Sequence, residues 1–115
     1  MGQRNTLETS PLTTVLVVGG PQTLIDSTRR AARTVPAAEV VACELRDGPT
    51  RVAELWPFAI VMSDDLYTFD SAEFDALARD VRARLITIRV LPSSTVPTEE
   101  ELGQRLLEAF RRRMA

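Results

Sequence analysis

Histidine and lysine are both missing from this 115-residue chain, and cysteine occurs once. Without histidine the chain lacks the commonest general base, the commonest metal ligand and any phosphohistidine relay of its own. All 14 cations are arginine, which excludes Schiff-base chemistry and a Walker A lysine. One cysteine allows no intramolecular disulfide and no multi-cysteine zinc or iron–sulfur site. No apolar run approaches the length of a membrane span, so no membrane insertion is expected. Met1–Leu12 shows no charged region followed by an apolar stretch, as a signal peptide would. A cytoplasmic location is therefore expected, with residues 1–12 as a flexible lead-in and 13–115 as one domain. The net charge of −2 gives no electrostatic reason to expect nucleic acid as a partner.

What remains is ordinary globular material, 44% apolar and 26% charged, arranged in two alternating kinds of segment. Thr14–Val18 is a continuous β-branched run stopped by Gly19-Gly20-Pro21, the pattern of a strand buried on both faces. Thr23 to Val35 carries Leu24, Ile25, Thr28, Ala31, Ala32 and Val35 at helical spacing. Glu39–Leu45 is a second strand, and Asp47-Gly48-Pro49 turns into a short helix through Val52 and Leu55. Phe58–Met62 is a third strand, followed by the loop residues Ser63, Asp64 and Asp65. Asp70 and Glu73 have capping-box spacing before a helix whose buried stripe is Phe74, Leu77, Ala78 and Val81. Leu85–Val90 is a fourth strand, with Thr87 and Arg89 marking it as an edge. After a loop at Pro92–Pro97, Thr98 and Glu101 cap a last helix. Leu102, Leu106, Ala109, Phe110 and Met114 face inward there, and Arg111–Arg113 suit its negative end. The order βαβαβαβα predicts a small doubly wound α/β fold with a parallel sheet in order 2-1-3-4 and helices on both faces, flavodoxin-like.

In such a sheet a ligand crevice opens at the carboxyl ends of strands one and three. Gly19 to Thr23 follow the first, and Ser63 to Asp65 follow the third. The glycines are either an anion cradle at a helix N-terminus or simply a sharp turn, and the run matches no nucleotide-binding pattern. Asp64 and Asp65 are either Mg²⁺ ligands or solvated loop residues. Cys43 is expected to be a small buried hydrophobe with no activated thiol. Trp56 is expected to pack at the base of the sheet.

Taken in register, these segments resemble a two-component receiver domain. Thr14–Pro21 resembles the receiver's first strand, with Gly19 and Gly20 where the family carries its two metal-binding acids. Pro57–Ser63 resembles the third strand, with Ser63 at the phosphorylated aspartate. Asp70–Phe74 is similar to the family's lead-in to its third helix, and Arg89 stands near the hydroxyl switch position. Leu91-Pro92 resembles the family's Lys-Pro pair without the lysine. The resemblance covers residues 13–91 and the last helix, with one βα unit of the family's five missing before that helix.

The resemblance implies a degenerate, truncated pseudo-receiver without a catalytic site, bound metal or cofactor. Phosphotransfer to an aspartate needs a carboxylate, a metal and cationic charge stabilisation, and a serine with no adjacent base is a poor replacement. A protein-interaction module in bacterial-type signalling is expected, with a small-molecule or nucleotide sensor using Gly19–Thr23 as the alternative. The IIB components of sugar phosphotransferase systems have a similar sheet, but their phosphoryl-carrying cysteine would fall where Gly19-Gly20-Pro21 stands. Removal of a fifth unit leaves strand four as an edge, so Leu85, Thr87 and Arg89 are expected at an interface with another protein or in a two-fold homodimer.

Overall fold

The computed structural model describes residues 13–89 and 99–114. Four strands, β1 (Thr14–Val18), β2 (Glu39–Cys43), β3 (Ala59–Ser63) and β4 (Arg84–Ile88), form one all-parallel sheet in the order β2-β1-β3-β4. This is the expected doubly wound, flavodoxin-like topology. The helices are α1 (Gln22–Ala31), α2 (Gly48–Leu55), α3 (Asp64–Phe69), α4 (Ser71–Val81) and α5 (Glu99–Met114). None is long and apolar enough to cross a membrane.

Continuous apolar runs put β1 and β3 at the centre, where every residue of both strands is buried. Because successive side chains point to opposite faces, the two strands feed two separate apolar layers. Val15, Val17, Ala59 and Val61 pack with Leu24, Ala31, Leu102 and Leu106, under α1 and α5. Leu16, Val18, Ile60 and Met62 pack with Val52, Phe74, Ala78 and Val81, under α2 and α4. In the first layer the Phe110 ring meets that of Phe58 edge-on at 5.6 Å. At Gly103 a Cβ would lie 3.2 Å from the Thr34 methyl, and the Thr34 hydroxyl reaches the Ala31 and Gly103 carbonyls. The missing side chain is what lets α5 lie so close to the end of α1.

Several local expectations are corrected. The second strand stops at Cys43, and Leu45–Asp47 coils into a single 3₁₀ turn before α2. The first helix ends at Ala31 and tightens to a 3₁₀ turn over Ala32–Thr34. Residues 64 and 65 are not loop: they open α3, which the Ser63 hydroxyl caps by accepting from the Leu66 amide. Asp70 does not cap α4 with its side chain. The neighbouring Asp70 carboxyl, as a hydrogen-bonding group and then as a charge, raises the Glu73 pKa. Trp56 does not pack beneath the sheet. It closes α2 in the left-handed conformation (φ 48°) with its side chain 48% exposed. The expectations placed on residues 1–12, on Val90 to Thr98 and on the Met114 side chain lie outside the described residues.

Candidate functional site

The crevice forms where topology requires it, at the carboxyl ends of β1 and β3, with α1 starting beside the first strand and α3 beside the third. Gly19 turns the chain out of β1 at φ 67°, a conformation that disfavours any residue with a Cβ. Its amide donates to the Cys43 carbonyl at 2.8 Å. A Cβ on Gly19 would come within 2.7 Å of the Leu66 side chain, and one on Gly20 within 2.6 Å of Leu24. Apolar side chains therefore occupy the space over the glycines. The result is an open cleft of about 460 Å³, lined by Gly19, Gly20, Ile25, Cys43, Leu45 and Leu66, with Glu44 as its one acidic residue.

Ser63 is buried at the end of β3, and its hydroxyl is engaged with the Leu66 amide at 3.4 Å. Asp64 is half-buried and Asp65 exposed. As the first two residues of α3 they sit where the helix dipole favours a carboxylate. Among the described residues, no three His, Cys, Asp or Glu side chains converge on a point that would hold a metal ion. The Cys43 thiol is half-buried on the edge strand β2, and burial, then the Asp47 carboxylate, push its pKa up despite Arg51 nearby. That is the reverse of nucleophile activation.

The structure brings Gly19, Gly20 and Ser63 together at one end of the sheet, and β4 ends beside them, with Thr87 paired to Met62, Ile88 paired to Ser63 and Arg89 next in the chain. Leu85 and Thr87 are half-buried and Arg89 is exposed just past the strand. The edge is not bare, because Arg105 of α5 donates to the Thr87 carbonyl at 3.4 Å while paired with Glu101. On the other edge, β2 leaves Val40, Val41 and Cys43 half-buried. Two features escaped the sequence reading. One is α3, which leaves Phe69 84% exposed at its end. The other is Arg113, whose guanidinium donates to the carbonyls of Pro57, Arg82 and Trp56. Arginines in the last turn of a helix are a visible signal, but nothing in the sequence names the carbonyls they reach. Comparison with protein-family models, curated proteins and solved structures finds no match to this chain.

Proposed function

We propose that this chain is a receiver-like domain without phosphotransfer activity, working as a protein-interaction module in bacterial-type signalling. The observation that carries the reading is the composition of the crevice. Where a receiver would gather a metal, its acids and a nucleophilic carboxylate, this chain has two glycines, a serine hydroxyl engaged as a helix cap, and leucine side chains. Phosphoryl transfer relies on several positioned charges, and the lining of this cleft carries one, Glu44. The same surface suits contact with a protein, since the cleft and the exposed Phe69 ring offer apolar area at one end of the sheet.

Exposure to acetyl phosphate or beryllofluoride with Mg²⁺ tests this directly. The expected result is an unchanged intact mass and an unchanged amide NMR spectrum. Saturable shifts centred on Ser63–Asp65 would refute it. Nucleotide titration followed on the same spectrum separates the sensor alternative, which requires shifts at Gly19–Thr23.

A further inference from the structure

At the other end of the sheet, where β4 begins and α4 and α5 finish, a cleft of about 490 Å³ is walled by five arginines: Arg79, Arg82, Arg84, Arg112 and Arg113. The rest of its lining is alanine, with Ala78 and Ala109 buried, and it includes no acidic residue. Five of 14 cations thus converge on one concavity in a protein of net charge −2. Such a volume falls within the roughly 300–1,000 Å³ of small-molecule sites.

The architecture accounts for part of this charge. Arg113 is committed to three backbone carbonyls. Burial, followed by the charge of Arg82, lowers its pKa, so the guanidiniums are close enough to repel. The side chains of Arg79, Arg82, Arg84 and Arg112 make no hydrogen bond or ion pair with the described residues. Two helix C-termini end here, each worth roughly half a negative charge. Together they offset about one of the four unpartnered cations. Arg82 adds a second oddity. It occupies the left-handed position that closes α4 (φ 59°, ψ 39°), with the Ala83 amide donating to the Ala78 carbonyl at 2.8 Å. Glycine is the residue this turn favours, yet an arginine stands there, at the rim of the cleft.

We propose that this cleft binds the oligophosphate group of a small molecule, a diphosphate or triphosphate held by Arg79, Arg82, Arg84 and Arg112. Guanidinium forks match phosphate oxygens in pairs and stay charged at any working pH. A phosphate chain concentrates several negative charges within the span of one cleft, whereas an acidic peptide spreads one per residue. A peptide would also need apolar pockets for its other side chains, and the lining offers only alanine. No aromatic residue lines the cleft to stack a base. Recognition is therefore of the phosphates, whether free or carried by a nucleotide. The inference concerns the end of the sheet remote from the crevice and stands independently of the interaction-module reading.

The test is calorimetric titration of the intact chain at low ionic strength with inorganic triphosphate, and separately with ATP, alongside amide NMR. Both ligands should saturate, with shifts at residues 79–84 and 112. Comparable affinities assign recognition to the phosphate chain alone, and a tighter ATP adds the nucleoside; either supports the site. Loss of a charge-assisted contact weakens binding by about tenfold or more, so Arg84→Ala with Arg112→Ala should cost about 100-fold. Arg29→Ala with Arg33→Ala removes equal charge elsewhere and should cost less than about threefold by screening alone. Should the alanine pair melt early, Arg79→Gln with Arg84→Gln retains the side-chain stems and takes its place. An equal loss in the Arg29/Arg33 control overturns the proposal. So do failure of both phosphates to bind, and tighter binding of a ten-residue polyglutamate peptide than of triphosphate.

Discussion

Replacement of Arg113 by alanine is the sharpest probe of how the last helix is held. Its guanidinium reaches Pro57 O at 3.1 Å, Arg82 O at 3.2 Å and Trp56 O at 3.3 Å. One side chain thereby ties the end of α5 to the chain entering the central strand β3 and to the chain leaving α4. A hydrogen bond to a charged group contributes roughly 1.5–3 kcal/mol when well buried. Three would sum to far more than this site can supply, since the group keeps part of its surface in water and the freed carbonyls regain hydration. Removing the charge also relieves its repulsion with Arg82. The balance is a loss of about 1–2 kcal/mol, which for a domain of this size lowers Tm by roughly 4–12 °C. Arg112, one residue earlier, is exposed with no partner among the described residues, and Arg112→Ala should stay within about 0.5 kcal/mol of wild type. Urea denaturation of the two variants in parallel, with Arg113→Lys keeping the charge but not the planar fork, measures the difference. Equal stability of Arg113→Ala and Arg112→Ala would show that the three carbonyl contacts hold nothing together.

Two further outcomes are expected. Leu106 is fully buried while Phe110 is half-buried against Phe58, so by denaturation Leu106→Ala should cost about 3–4 kcal/mol and Phe110→Ala about 2–3 kcal/mol; the reverse order would mean that α5 is phased differently on the sheet. If β4 is an association edge, Thr87→Glu should remain folded and sediment as a monomer at concentrations where the wild type pairs, and a wild type that is monomeric throughout would remove β4 as a self-interface.

The strands were readable because a short apolar run bounded by glycine, proline or acidic residues has few other ways to bury itself. Val15–Val18 and Ile60–Met62 sit in the two central strands for that reason. The crevice followed from topology, so Gly19, Gly20 and Ser63 could be brought together without coordinates. α3 is not legible in the sequence, because a six-residue helix shows no period and Asp64-Asp65 looks alike in a loop or in a first helical turn. The Asp70–Glu73 spacing is ambiguous for a related reason: it permits a capping box, but the Asp70 backbone (φ −150°, ψ 54°) enters α4 without its side chain making the cap bond. For Trp56 bulk argues for burial, while the left-handed turn after α2 leaves the residue half exposed. The arginine cleft was least legible of all. It is assembled from the end of α4, the start of β4 and the last turn of α5, and only folding brings those segments together.

The two apolar layers also differ in when a growing chain can complete them. Everything needed for the α2/α4 layer has been synthesised by Ile88, since its buried members run from Leu16 to Val81. The opposite layer waits for Leu102, Leu106 and Ala109. During vectorial synthesis the sheet can thus assemble with one face covered while the other, which carries Val15, Val17, Ala59 and Val61, has only α1 and the turn after it for cover. Chains emerge N-terminus first, and uncovered apolar surface on such a species is what chaperones bind and what aggregates. α5 is then less a decoration on a finished sheet than the closing step, the segment whose arrival turns a half-covered nascent chain into a folded one.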